Sequence, residues 1–172
     1  FQFYRTNPLD PSTVSAGPLN AIYQSERGFL WIGSEGHGVN YFHPDNNLFS
    51  VIHLPFDLLN KVNVSWARSM AIDQKGDYWF GYGGLLLQQN ASTLQYSYYV
   101  NEPKKVQLHN ASVRSVVADR ENNIWIGTAG GMNRLTSKRK MEFLDERDSL
   151  PKTFIWKIFL DSRNVLWVGA RD

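Results

Sequence analysis

Apolar residues in this chain come in short bursts. Segments of about six residues, LNAIYQ from Leu19, ARSMAI from Ala67, VRSVVA from Val113 and IWKIFL from Ile155, each run through a turn into a second burst centred on a tryptophan. They are too short for ordinary helices and suit strands. The second bursts, GFLWIGS, GDYWFGY, NNIWIGT and NVLWVGA, are apolar on both sides of the tryptophan, the pattern of a strand buried between two layers. Glycine-containing turns follow the first three, then a third run (VNYF, LLL or MNRL) and a fourth (LFSVIHL, LQYSYYV or KMEFL). The pattern predicts four short strands per unit.

Aligning Trp31, Trp79, Trp125 and Trp167 gives spacings of 48, 46 and 42 residues. Two positions after each stands a glycine: Gly33, Gly81, Gly127 and Gly169. Six before each tryptophan come Ser25, Asp73, Asp119 and Asp161, and three before come Gly28, Gly76, Asn122 and Asn164. Asp and Ser cap backbone N–H groups in tight turns, while Gly and Asn tolerate positive φ, so the two slots together predict a hairpin turn. Recurrent aspartates at one slot also raise a catalytic or calcium-binding series, but turn capping explains them better. A period in this range with four strands per unit predicts an all-β fold of β-propeller blades, each of four antiparallel strands, and disfavours leucine-rich, TPR and ankyrin repeats. The units run approximately over residues 1–48, 49–95, 96–140 and 141–172, the last truncated, so that residues 1–172 form a partial propeller. Trp and Gly at i and i+2 share one face of a strand. The ring is expected to fill the wedge between adjacent blades, and the glycine to leave room for a neighbour's side chain.

The composite Asp-x-x-Gly/Asn-x-Leu/Ile-Trp-Ile-Gly-Thr-x-Gly-Gly-Leu-x-Arg resembles the two-component regulator propeller repeat. Residues 119–135 (DRENNIWIGTAGGMNRL) match it most fully, and residues 25–42 follow with one extra residue between Ser34 and Val39. Residues 73–87 depart by Tyr82 in the Thr position and a shortened glycine turn, and the fourth copy stops before its glycine pair. The resemblance implies a sensor region of a bacterial hybrid two-component or diguanylate cyclase signalling protein, on the periplasmic or extracellular side of the inner membrane. It also implies a seven-bladed ring of which four units are only part. The remaining blades of the parent, or a second copy in a homodimer joined through open blade edges, are then the expected neighbours. FQFYR at the start is expected to be a fourth strand, and the absence of an initial methionine suggests a processed product or fragment.

Composition changes this picture little. The 172 residues are 42% apolar, 20% charged and 14% aromatic, with a net charge of +2, too small to suggest nucleic acid as a partner. No apolar run reaches membrane-spanning length, so no membrane contact is expected of this segment. With no cysteine there are no disulfides and no thiolate metal sites, and no cofactor is expected.

Candidate chemistry is sparse. His37 beside Glu35 lies in a predicted rim loop, but without a second histidine nearby the pair reads as solvated rather than metal-binding. No nucleophile elbow, P-loop or dinucleotide fingerprint is present, and no catalytic residue is assigned. Eleven residues before each repeat tryptophan stand Asn20, Arg68, Arg114 and Trp156, near the start of the strand that lines the channel in propellers. Varied polar and aromatic residues at one fixed place suit a ligand-binding mouth. Arg68 and Arg114 can hold a carboxylate or sulfate, and Trp66 or Trp156 can stack on a sugar ring, with Tyr82 and His37 as secondary loop candidates. The expected ligand is a small molecule or carbohydrate. Three Asn-x-Ser triplets, at Asn63, Asn90 and Asn110, read as chance. The leading expectation is a non-enzymatic sensor or ligand-recognition propeller. The alternatives are a propeller enzyme, a lyase or glycan-processing protein, or an interaction scaffold.

Overall fold

The computed structural model describes residues 3–25, 28–35, 38–43, 45, 48–52, 58, 66–102, 105–144, 147, 150 and 152–171. It divides into two compact units, Phe1–Ala67 and Arg68–Asp172.

In the first unit, β1 (Leu19–Gln24), β2 (Leu30–Ser34), β3 (Val39–His43) and β4 (Leu48–Ile52) form one antiparallel sheet in sequence order. Ile32, Phe42, Phe49 and Val14 make its core. Of the expected FQFYR strand (residues 1–5), residues 1–2 lie outside the described residues and residues 3–5 form no strand. Tyr4 instead packs edge-on against Phe42 and Phe49, with ring centroids 5.1 and 5.3 Å away. A buried aromatic pair offers the ring more than a strand does where no partner strand is at hand.

The second unit carries three further blades. β5 (Ala67–Ile72), whose first residue is the last of the first unit, leads into β6 (Tyr78–Tyr82), β7 (Leu86–Gln89) and β8 (Tyr96–Tyr99), which form the second four-stranded sheet. A small hairpin, β9 (Asn101–Glu102) with β10 (Lys105–Val106), connects it to the third sheet. That sheet is β11 (Val113–Ala118), β12 (Ile124–Thr128), β13 (Gly131–Leu135) and β14 (Met141–Leu144). β15 (Ile155–Leu160) and β16 (Leu166–Ala170) pair as a two-stranded start of a fourth. The fold is all-β and built of propeller blades, as the four-strand period predicts.

The predicted hairpin turn recurs in all four blades. Gly28, Gly76, Asn122 and Asn164 have φ of 83°, 83°, 64° and 64°. Each donates its N–H to the carbonyl three residues back, on Ser25, Asp73, Asp119 or Asp161. The aspartates cap as expected: Asp119 Oδ1 accepts the N–H of Glu121 and of Asn123 at 3.0 and 2.7 Å. They also do something the spacing alone did not reveal. The other carboxylate oxygen accepts the indole N–H six residues on, at 3.0 Å for Asp73–Trp79, 2.8 Å for Asp119–Trp125 and 3.3 Å for Asp161–Trp167. One side chain therefore closes the turn and fixes the ring that the next blade packs on.

Among the described residues, apolar clusters lie between the blades of the second unit. Trp79, Leu86, Val113, Val116 and Ile126 lie between the second and third blades, and Met132, Ile155 and Ile158, flanked by Trp125, between the third and fourth. The glycine two residues after each tryptophan is where a neighbouring first strand enters. A Cβ on Gly81 would stand 2.7 Å from Val113 Cγ1, and one on Gly127 2.7 Å from Ile155 Cγ2, distances no real Cβ tolerates. Within the first unit the same geometry holds, with a Cβ on Gly33 only 2.6 Å from the Ala67 carbonyl oxygen. Trp79 is accordingly 1% exposed. At roughly 200 Å² and about 25 cal/mol per Å², burying such a ring stabilises by about 5 kcal/mol. Trp167 departs from the expected wedge-filling role at 57% exposure, since no further first strand packs on β16 among the described residues.

The turn asparagines also reach between blades. Asn122 Oδ1 accepts Gln74 N–H at 2.8 Å from the second blade's turn, and Asn164 Oδ1 accepts Arg120 N–H at 3.4 Å from the third. Gly and Asn both supply the positive φ, but only Asn makes this bond.

Candidate functional site

The first strands begin with an irregularity that the sequence did not disclose. In β1, β11 and β15 the register with the second strand shifts between Leu19 and Ala21, between Val113 and Ser115, and between Ile155 and Lys157. The residue skipped is Asn20, Arg114 or Trp156, three of the four candidates placed eleven before the tryptophans. A bulge locally re-aims the side chain it carries and is common beside binding sites. These positions thus project their side chains out of the regular pleat.

In the second unit the two candidate arginines, Arg68 and Arg114, each have defined partners. Arg68 Nη1 donates to Ser112 Oγ at 2.7 Å. Burial, and second to it the charge of Arg114, pull the Arg68 pKa below the ordinary arginine value. The Arg114 guanidinium carbon sits 4.3 Å from the Phe154 ring centroid and 5.3 Å from that of Trp156. Those two rings pack at 4.4 Å. Arg114 Nε is buried and makes no hydrogen bond. Cation–π contact is worth about 0.5–1 kcal/mol at a partly exposed site, too little to replace the lost hydration of a guanidinium donor. Trp156 is 57% exposed, so one wall of the mouth is an aromatic face open to solvent. The arrangement offers donors fixed around a positive potential, the chemistry of anion capture rather than of proton transfer.

Ser112 and Phe154 are the members the sequence reading missed. Ser112 belongs to the Asn-x-Ser triplet at Asn110, where Asn110 Oδ1 accepts Ser112 N–H at 2.8 Å. The triplet at Asn90 likewise turns the chain, its Oδ1 accepting the N–H of Ser92 and of Thr93 at 3.1 and 2.8 Å. These are Asx turns, and in the first case the turn delivers a hydroxyl to the mouth. Asn63 lies outside the described residues. Phe154, two residues before Trp156, carried no signal beyond its aromatic character.

The remaining candidates are not gathered at this mouth. Asn20 and Trp66 are exposed residues of the first unit. Tyr82 ends β6 with 2% exposure, and burial pushes its phenol pKa strongly up. It fills blade interior instead of an accessible loop because its slot, held by Thr128 in the third blade, points inward. His37 falls outside the described residues, and among those described no group of three or more His, Asp or Glu is placed to hold a metal ion.

Open clefts lie elsewhere among the described residues. One of about 1060 Å³ in the first unit runs between residues 6–16 and β4, walled by Phe29, Tyr41 and Phe49. Two of its hydroxyls are engaged internally, Ser12 Oγ with Asp10 and Thr13 Oγ1 with the Asp10 carbonyl. A second, of about 450 Å³, is lined by Gln88, Asn90, Tyr96, Tyr99 and Arg139 in the second unit. Arg139 is committed there to Gln88 Oε1 at 2.9 Å. Neither cleft contains the unpartnered donor of the arginine mouth.

Residues 107–130 match the model of the family described as two component regulator propeller. No curated protein matches the sequence. Among solved structures, the extracellular domain of the one component system BT4673 from B. thetaiotaomicron superposes with a TM-score of 0.66 at 23% identity, covering 88% of this chain and 20% of that one. A streptogramin B lyase gives 0.68 at 16% identity, covering 95% and 50%. Virginiamycin B lyase from Staphylococcus aureus gives 0.62 at 17% identity, covering 88% and 48%. Identities this low show the shared propeller fold alone. This chain spans a fifth of the first relative's length and about half of each lyase's.

Proposed function

We propose that this chain is a recognition segment of a signalling propeller that works outside the cytoplasm, in the periplasm of a bacterium, and that Arg68 and Arg114 bind an anionic group of its ligand. The observation that carries the ligand reading is the buried, unpartnered Nε of Arg114 beside a second guanidinium. An anion bridging the two removes their mutual repulsion and satisfies that donor in one step, which neither water nor a neutral ligand achieves. Trp156 adds an aromatic face on which a sugar ring carrying the carboxylate or sulfate can stack. The signalling role rests on the matched repeat at residues 107–130 and on the likeness to extracellular domains of two-component sensors. Ligand binding signals only through different affinities for two arrangements of the parent, so the mouth must change between them.

The lyase neighbours raise an enzymatic reading, but a mouth of guanidinium donors and aromatic rings offers no paired acid and base. Isothermal titration with sodium sulfate and with glucuronate tests the proposal. Arg114→Ala is expected to weaken binding by about tenfold or more, as loss of charge-assisted hydrogen bonds costs about 1.5–3 kcal/mol. Arg68→Ala together with Arg114→Ala should abolish it while leaving the circular dichroism spectrum intact. Equal affinity in wild type and double variant would sink the anion reading, as would no detectable binding to wild type.

A further inference from the structure

Within the second unit, successive blades meet through a repeated knob and hole. The hole is the glycine two residues after the tryptophan. The knobs are two aliphatic side chains on the following first strand: Val113 and Val116 enter at Gly81, and Ile155 and Ile158 at Gly127. All four knobs are buried.

Apart from Gly33, which meets Ala67 inside the first unit, a further knob pair lies on β1 and a further hole on β16, and among the described residues neither is filled. In β1, Leu19 and Ile22 pair with Ser34 and Ile32 of β2. Val113 and Val116 occupy the same register against Thr128 and Ile126, and Ile155 and Ile158 against Ala170 and Val168. Leu19 and Ile22 are nevertheless 49% and 71% exposed. On β16, Gly169 stands where Gly81 and Gly127 stand in their strands. A Cβ added to it would meet only its own blade, Lys157 O at 3.5 Å, where the others would meet an incoming side chain at 2.7 Å. Trp167 and Phe159, paired across the same two strands, are open to solvent beside it.

We infer that separate copies of this chain associate head to tail, with Leu19 and Ile22 of one molecule seated at Gly169 and Trp167 of another. Both halves of the contact are built from the side chains and register that join the internal blades, so the occupant that fits is another molecule carrying the same first strand. The surfaces are different on the two partners, which makes the contact heterologous, and such contacts give closed rings or open chains rather than two-fold dimers. Large apolar side chains grouped at an exposed face favour the association.

Sedimentation velocity of the chain across a wide concentration range tests it. The expected result is a concentration-dependent mass of two or more copies, accompanied by a blue shift of tryptophan emission as Trp167 loses water. Gly169→Val is expected to be tolerated in the free molecule, because its Cβ makes only ordinary van der Waals contact with Lys157 O at 3.5 Å, and to weaken association by tenfold or more. Ile22→Asp, at a solvent-exposed position, is expected to do the same from the other side. Gly127→Val, placed at an occupied hole, should instead lower the melting temperature, confirming that an added side chain at this slot matters only where a knob sits. A monomer at every concentration would overturn the inference. Association that survives Gly169→Val and Ile22→Asp unchanged would overturn it equally, by showing that another surface is responsible.

Discussion

Replacing Asp119 by alanine removes four hydrogen bonds with one side chain. Its carboxylate accepts Glu121 N–H and Asn123 N–H on one oxygen, and Asn123 Nδ2 and Trp125 Nε1, both at 2.8 Å, on the other. Asp119 is 4% exposed, yet the turn it caps lies at the surface, with Arg120 and Glu121 open to water. Water can therefore reach the two backbone donors after substitution. The indole N–H loses its partner outright, and the Asn123 amide keeps only a long contact with Glu121 Oε2 at 3.4 Å in place of its 2.8 Å bond. Two unrecovered bonds at about 1.5 kcal/mol each give a loss of about 3 kcal/mol. For a chain of this size about 2–4 °C accompanies each kcal/mol, so the melting temperature should fall by about 6–12 °C. The assay is thermal unfolding followed by circular dichroism and by tryptophan emission. Asp119→Ser should recover part of the loss, because Ser25 fills this slot in the first blade and accepts Phe29 N–H at 3.2 Å. A melting temperature for Asp119→Ala within experimental error of wild type would refute the reasoning. It would mean that desolvating the carboxylate costs as much as its four bonds return.

Two further outcomes follow from buried and titrating groups. Asn133 is buried and its Oδ1 accepts His109 N–H at 3.0 Å, tying the incoming linker to β13. The second blade has Leu87 at the corresponding position, so Asn133→Leu should be accommodated in volume yet cost about 1–3 kcal/mol for the deserted N–H, read as a lower denaturant midpoint with unchanged slope. Asp161 has its pKa held below the ordinary 3.8, first by the Val165 N–H and then by the Trp167 indole and Arg163. Its contribution to stability is complete above that value and is lost as pH falls through the lower folded pKa. Acid titration should accordingly red-shift Trp167 emission below pH 3.8 and leave it steady above, and Trp167→Phe should erase that transition.

What the sequence disclosed was whatever a single strand or turn decides. Positive φ at Gly28, Gly76, Asn122 and Asn164 is a property of one residue, and residue type announces it. Strand length and the tryptophan period are equally local. The bulges at Asn20, Arg114 and Trp156 depend on register between two strands, which neither strand encodes alone. Counting from the tryptophans set Arg68 and Arg114 at equivalent positions, and the charge of Arg114 lowers the pKa of Arg68. It could not show that Ser112 would hold one guanidinium and Phe154 lie against the other, since both contacts join segments about forty residues apart. Tyr82 was misread for a related reason. Its neighbours Gly83 and Gly84 suggested an open loop, whereas the short turn draws the ring into the blade.

The reach of Asn122 and Asn164 to the preceding turn gives the second unit a direction. The N–H of Gln74 is satisfied by a residue made 48 positions later, and that of Arg120 by one made 44 later. A blade leaving the ribosome therefore has its hairpin closed by its own aspartate but its outermost donor still open. Only when the successor emerges is that donor paired. Synthesis runs from the N-terminus, so completion always lags one blade behind elongation, and the most recently made blade is the provisional one. Nearest-neighbour coupling of this kind makes the array mature as a travelling front rather than as independent blades.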